Sequence, residues 1–327
     1  MPVPHNFAGR LSLPVIAAPM FIVSSPELVI AQCKAGVVGT MPSLNARTAE
    51  EFEPNVERIK VELAAHDAAN PDAPSAPFGI NLIVHKTNKR LEHDLAVCAR
   101  QQVPLIITSL GASKAVNDAV HAYGGLVFHD VINIRHAKKA IAEGVDGIIT
   151  VCAGAGGHAG TMSPFALVRE LREFWDGPIA LSGSISDGEG ILGALAMGAD
   201  FAYLGTRFIP TLESAAKPEY KQMILESSGA DVIYTPFFTG VPGNYLRPSV
   251  VNAGLDPDNL PDRSKDTMDF GSITNTGAKA WKDIWGSGQG IGVIHDLQST
   301  ADLVATLRRQ FEAAQRAVAE RVGLLRG

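Results

Sequence analysis

The 327-residue sequence has only three cysteines, and it has no long apolar run. Cys33, Cys98 and Cys152 lie far apart and form no C-x-x-C pair, which excludes a disulfide framework and a redox dithiol. Unpaired thiols favour a reducing, cytoplasmic location. No apolar segment reaches the roughly eighteen residues of a membrane helix, and the N-terminus has no signal-peptide pattern. We therefore expect neither secretion nor insertion into a membrane.

The sequence also lacks an excess of positive charge. Its 28 basic and 34 acidic residues give a formal net charge of −6, with no dense Lys/Arg stripe, so nucleic acid is not an expected partner. There is no H-E-x-x-H, no P-loop lysine motif and no G-x-S-x-G elbow. These absences argue against a zinc protease, a P-loop nucleotide hydrolase and an α/β-hydrolase, and we predict no metal site.

What is present is a repeated strand and helix rhythm. Short apolar segments recur, each followed by a stretch of helical period, which is typical of parallel β/α units. Because the segments are almost continuously apolar, both faces of each strand should be covered. The predicted strands are residues 15–18, 37–40, 78–83, 105–109, 125–129, 147–151, 179–182 and 201–205. The pattern favours an α/β fold of the (β/α)8 TIM-barrel type, with an open doubly wound sheet as the alternative.

The rhythm fails after the eighth predicted strand. Residues 212–292 are rich in Gly, Pro, Asn and Asp, and we interpret them as an irregular insertion over the barrel mouth. A final helix with apolar residues at helical spacing is predicted over residues 301–325. The predicted barrel domain therefore comprises residues 1–211 and 293–327.

Two small-residue turns follow the seventh and eighth predicted strands. In a (β/α)8 barrel these loops and a helix N-terminus form the usual phosphate site, because free N–H groups point at the anion. Ser186 and Glu189 fit the S-x-x-E capping box of such a helix. The alternative is a pair of ordinary tight turns. The predicted phosphate-binding residues are Ser182, Gly183, Ser184, Gly205 and Thr206.

A glycine-rich run, C-A-G-A-G-G-H-A-G, follows the sixth predicted strand. It matches G-x-G-x-x-G/A, but it lies in mid-chain and no helix follows directly, so a dinucleotide fingerprint is rejected. The backbone at Gly156 and Gly157 carries no side chains and can lie against a flat ring of a bound ligand. A lone histidine is more often structural, yet His158 stands among glycines at the end of a barrel strand. We predict that His158 is catalytic.

Polar or polarizable side chains lie at or near the ends of other predicted strands. Ala18, Pro19 and Met20 follow the first strand, where Met20 offers a thioether to a ring, although core filling explains it nearly as well. Asn81 is an amide within an apolar strand, and either a cofactor or a neighbouring backbone can satisfy it. His129 ranks second to His158 as a functional candidate.

Several motifs together resemble the nitronate monooxygenases. They are L-P-V-I-A-A-P-M, F-G-I-N, A-G-A-G-G-H-A-G, L-S-G-S-I-S-D-G, M-G-A-D-F-A-Y-L-G-T-R-F and G-Q-G-I-G, in order along nearly the whole chain. FMN-type enoyl-acyl-carrier-protein reductases and NADH:quinone reductases share some of these elements, but they commonly have Q-G-G-M where this chain has A-A-P-M. The resemblance thus favours the monooxygenases.

The resemblance implies an FMN-dependent enzyme that oxidises small anionic alkyl nitronates with dioxygen, giving a carbonyl compound and nitrite. It assigns His158 to the active site and the two turns to the FMN phosphate. Ser184 stands where many relatives have glycine. The alternatives are an NAD(P)H-dependent FMN reductase acting on an enoyl thioester or quinone, and a flavin carrier without turnover. The residues expected to line the flavin ring are Ala18, Pro19, Met20, Asn81, Gly156 and Gly157.

Overall fold

A computed structural model describes residues 4, 7–260 and 283–324. Its main sheet has eight parallel strands. These are β1 (Val15–Ala17), β2 (Gly39–Pro42), β3 (Phe78–Ile83), β4 (Leu105–Ser109), β5 (Leu126–Val131), β6 (Gly147–Val151), β8 (Ile179–Ser182) and β9 (Phe201–Leu204), with β7 (Gly157–His158) outside this sheet. They run in the order β1-β9-β8-β6-β5-β4-β3-β2, and a parallel bridge between Ile16 and Val38 closes the ring. The predicted TIM barrel is confirmed.

Helices alternate with the strands, as the sequence predicts. They are α1 (Pro26–Lys34), α2 (Phe52–Ala69), α3 (Leu91–Gln101), α4 (Lys114–His121), α5 (Ile134–Ala142), α6 (Pro164–Arg172) and α7 (Gly188–Met197). Their apolar faces pack on the outside of the strands in one continuous core. Because all eight strands are parallel, their carboxyl ends meet at one end of the barrel.

The opposite end of the barrel is closed by aromatic rings. Phe7, from the segment before β1, packs against Phe201 at a centroid distance of 5.6 Å and against Phe128 at 6.4 Å. Phe201 is the first residue of β9, so this cluster lies where the strands begin. With these rings filling that end, the cavity described below opens at the carboxyl end of the barrel.

The chain after β9 contains more regular structure than the sequence suggests. It forms α8 (Pro218–Glu226), β10 (Val232–Thr235), β11 (Gly243–Leu246), α9 (Arg247–Asn252) and the final α10 (Thr300–Leu324). β11 pairs with β10 and with β7, so Gly243 lies opposite His158. The division into a barrel and an insertion at 212–292 stays a prediction, and residues 261–282 of that stretch lie outside the described residues.

Among the described residues, the three cysteines form no disulfide bond. Cys33, Cys98 and Cys152 are all buried as free thiols. Burial raises the pKa of Cys152 to about 11, so this residue is a neutral thiol at neutral pH. Within residues 7–260 and 283–324, no helix has the length and apolar character needed to span a membrane, and no cluster of side chains is suited to hold a metal ion.

Candidate active site

A large cavity opens at the carboxyl ends of the strands, with a volume of about 1110 Å³. Every residue predicted from the sequence to bind the cofactor or to act in catalysis lines it. These are Ala18, Pro19, Met20, Asn81, Gly156, Gly157, His158, Ser182, Gly183, Ser184, Gly205 and Thr206. His129, the second-ranked histidine, lines it too. Residues far apart in sequence thus converge because they follow different strands of one barrel.

The two predicted phosphate turns lie side by side. β8 and β9 pair in register with Ser182 opposite Tyr203, so the loop from Ser182 runs beside the loop that begins at Gly205. Gly183 has a φ of +139° and Ser184 a φ of +56°. Ser184 therefore adopts the left-handed conformation that glycine adopts without strain, which accounts for the glycine common in its relatives at this position. The serine keeps the turn and adds a hydroxyl.

A third loop, 288–290, joins these two turns. The Gly288 backbone N–H donates to Thr206 Oγ1 at 2.8 Å, and that of Gln289 donates to the carbonyl oxygen of Gly154 at 2.9 Å. A Cβ atom on Gly290 would lie 2.8 Å from the backbone of Ser184. The 288–290 loop therefore contacts the loops after β6, β8 and β9, and its glycines are required by this close packing.

The start of α7 differs from the sequence prediction. Asp187, not Ser186, is the N-cap, and its Oδ1 accepts from the Gly190 N–H at 2.7 Å. The Gly188 N–H donates to Gln310 Oε1 at 3.1 Å. The predicted capping box is therefore wrong: an aspartate is an equally good cap and lies one residue closer to the helix. Because a carboxylate caps this helix end, the N-terminus of α7 is not a free site for an anion.

His158 lies on β7 and is held by a threonine from the chain after β9. Its Nε2 is 2.8 Å from Thr239 Oγ1, which is itself 3.1 Å from the carbonyl oxygen of Val241. The single hydroxyl proton can serve only one of these acceptors, so its direction sets which ring nitrogen of His158 carries hydrogen. Burial lowers the pKa of His158 to about 4. The imidazole is therefore neutral at pH 7.

A second polar group occupies the β3 to β5 side of the cavity. Asn81 Nδ2 donates to the Ile107 carbonyl oxygen at 3.1 Å and to Ser109 Oγ at 2.8 Å. Ser109 Oγ in turn donates to Asp130 Oδ2 at 2.5 Å. The protein itself thus satisfies the amide nitrogen of Asn81, which leaves its carbonyl oxygen as the group that can accept from a ligand N–H.

The imidazole of His129, the residue before Asp130, contacts a threonine of the neighbouring strand β4. Its Nδ1 lies 2.7 Å from Thr108 Oγ1, and burial lowers its pKa to about 4. It is therefore a second neutral imidazole in the cavity at pH 7.

Sequence reasoning missed Thr239 and Ser109 as parts of the site. Thr239 lies 81 positions after its partner His158, and no local pattern marks a contact over that distance. Ser109 is the last residue of an apolar strand, and its position at the carboxyl end was the available signal. The 288–290 loop lies within the G-Q-G-I-G motif, which entered the sequence analysis only through the family resemblance.

A (β/α)8 barrel with a large cavity at its carboxyl end, lined by glycine loops and neutral histidines, is typical of enzymes that act on small molecules. The family profile for nitronate monooxygenase matches residues 8–310, and the chain belongs to this family, whose members are flavin-dependent oxidoreductases. The family resemblance noted in the sequence is confirmed.

Individual relatives agree with the family assignment. A nitronate monooxygenase from Neurospora crassa is 28% identical over 341 residues, covering 90% of this chain and 88% of the relative. One from Paraburkholderia phytofirmans is 27% identical over 339 residues, covering 91% and 92%. Among solved structures, a nitroalkane oxidase from Streptomyces ansochromogenes has a TM-score of 0.78 at 23% identity, covering 95% of this chain and 99% of that one. This last likeness supports the fold.

Proposed function

We propose that the protein is an FMN-dependent enzyme that oxidises alkyl nitronates with dioxygen to a carbonyl compound and nitrite. The observation that carries the proposal is the shared cavity, in which the turns after β8 and β9 and the His158 imidazole face one space. A nitronate is a small anion that needs a hydrogen-bond donor in place of the water it loses on binding. The family membership supports the same reaction class.

The residues of the cavity fit an FMN molecule. Ser182, Gly183, Ser184, Gly205 and Thr206 would hold the phosphate. The ring would lie against Ala18, Pro19, Met20, Asn81, Gly156 and Gly157. A Cβ on Gly156 would lie 2.8 Å from the Gly288 nitrogen, so the 288–290 loop requires glycine at this position. When bound, the flavin supplies the two-electron redox chemistry of the reaction.

His158 contributes a hydrogen bond to the anionic substrate. A neutral imidazole carries one N–H group, and in this cavity the ring of His158, oriented by Thr239, would donate it to a nitronate oxygen. Hydrogen bonds to a charged group are worth about 1.5–3 kcal/mol, more than those between neutral groups. The low pKa of about 4 means that His158 acts here as a neutral donor and not as an imidazolium.

Oxygen consumption by the flavin-loaded protein tests this function. We expect rapid oxygen uptake with an alkyl nitronate, nitrite as a product, and no bleaching of the flavin on anaerobic mixing with NADH or NADPH. Rapid bleaching by a reduced nicotinamide, without oxygen uptake on the nitronate, would identify a reductase instead. A protein that cannot take up FMN would rule out both reactions.

The cavity mouth predicts a preference for longer alkyl chains. Phe21, Ile22, Ile132 and Tyr234 line the cavity and are 43%, 37%, 38% and 44% exposed. Burying one methylene contributes about 0.8 kcal/mol, so we expect KM to fall by up to roughly fourfold per added methylene. Steady-state kinetics with linear nitronates of increasing length measure this. A KM that is constant along the series would show that the substrate does not reach these side chains.

A further inference from the structure

Asp130, the residue after His129 on β5, has no part in the function described so far. Its hydrogen bonds have a fixed direction. The Ile107 carbonyl can only accept, so it fixes the amide nitrogen of Asn81, which also donates to Ser109. Having accepted that bond, Ser109 donates its only proton to Asp130. The network therefore supplies a donor to the ionised form of a carboxyl group that lines the cavity.

The loop after β4 also favours the ionised form of this carboxyl group. The Leu110 backbone lowers the pKa of Asp130, and Leu110 has a φ of +65° although it is not glycine. A left-handed conformation costs such a residue roughly 1–2 kcal/mol, and strain of this kind concentrates at functional sites. The next residue, Gly111, has no room for a Cβ atom, which would lie 2.5 Å from the carbonyl oxygen of Val84.

Several titratable groups face Asp130. His129 is its neighbour, His136 and Lys139 stand on α5 at the cavity mouth, and Tyr203 lies across the barrel on β9. Burial raises the pKa of Asp130 to about 6, against the opposing effect of its hydrogen bonds and of His136. Burial, aided by the charge of Asp130, also raises the pKa of Tyr203.

Asp130 is thus ionised at pH 7 and still able to accept a proton. A general base works best when its pKa lies near the working pH, and the pKa of about 4 for His158 is less suitable than that of Asp130.

We propose that Asp130 is a further catalytic residue, which removes the α-carbon proton from a neutral nitroalkane and thereby forms the nitronate inside the cavity. The carbon–hydrogen bond breaks, its electron pair spreads into the nitro group, and the proton forms an O–H bond with the carboxylate. The products are a nitronate and a neutral carboxyl group, so no other reactant is needed. The inference rests on the proposed function, because the nitronate formed is the molecule that is then oxidised.

Asp130→Asn separates the two steps when a neutral nitroalkane and its preformed nitronate are compared at pH 8. We expect kcat/KM for the nitroalkane to fall about 100-fold, the usual contribution of a positioned base. The nitronate should react as well or better, because the anion no longer faces a carboxylate. An independent readout is proton–deuterium exchange at the α-carbon, followed by NMR without oxygen, which should fall to the buffer rate.

Ser109→Ala provides a second variant that keeps the carboxyl group. Removing the hydroxyl donor disfavours the ionised form, so the acid limb of the nitroalkane pH profile should move upward from near pH 6. Asp118→Asn is the matched control, because Asp118 is an exposed residue of α4 paired with Lys114.

An enzyme that oxidises nitronates but neither exchanges nor oxidises nitroalkanes overturns the inference, as does an Asp130→Asn variant that retains both. In either case the proposed function stands. A wild-type protein inactive on nitronates would instead remove the proposed function.

Discussion

Replacing His158 with alanine lowers kcat/KM for an alkyl nitronate by about 10²- to 10³-fold, which is the usual effect of losing one positioned donor to an anion. The loss follows from the geometry, because Thr239 holds His158 at 2.8 Å and orients its ring. The imidazole is neutral, so its contribution is a directed hydrogen bond and not a charge. The variant should retain its flavin, because the phosphate turns lie on β8 and β9 and not on β7. Oxygen uptake and the flavin absorbance measure the two effects.

Thr239→Val tests how His158 is oriented. Valine has nearly the same shape but cannot bond to Nε2, so we expect an intermediate loss of about tenfold, with an altered pH profile because the ring nitrogens are no longer fixed. His66→Ala is the control, since His66 is a partly exposed residue of α2 that contacts Asn70. Unchanged turnover in His158→Ala would remove this residue from the mechanism.

The fold was predictable because parallel barrel strands carry a strong local signal. The strands at 78–83, 105–109, 147–151 and 179–182 have the predicted bounds, since both of their faces are buried and every residue is constrained. β2 begins at Gly39 and not at residue 37, although Val37 and Val38 are apolar. Val38 instead makes the bridge to Ile16 that closes the barrel, a long-range pairing that composition cannot reveal.

The residues that line the cavity were predictable, but their hydrogen bonds were not. Glycines and serines that follow barrel strands all lie at the carboxyl end of the barrel, so we can predict that they converge once the barrel is recognised. The partner of His158 and the donors to Asp130 depend on contacts between separate loops, and their residue types are common everywhere in the sequence. The same limit explains the wrong capping box, in which two adjacent residues, Ser186 and Asp187, are equally good caps.

Replacing Gly183 with valine should abolish tight FMN binding. Gly183 has a φ of +139°, a region that is essentially restricted to glycine, and a Cβ atom there would lie 2.7 Å from the Ala153 carbonyl oxygen. A β-branched side chain can be accommodated only if the turn moves, which takes Ser184 away from the adjoining Thr206. Strain of about 3 kcal/mol corresponds to roughly a 10²-fold weaker Kd. Titration of the flavin-free protein with FMN measures it.

The contrast with Gly193 makes this prediction specific to the turn. Gly193 lies in α7, and a Cβ atom added there would meet no atom within 4 Å. Gly193→Ala should therefore raise Tm by a degree or two, because alanine lowers the entropy cost of forming the helix by about 0.5–1 kcal/mol, and FMN affinity should stay as in the wild type. If Gly183→Val bound FMN as tightly as Gly193→Ala does, the turn after β8 would not hold the phosphate. The cofactor would then have to be anchored by the 288–290 loop, whose backbone contacts Ser184 and Thr206 from the other side.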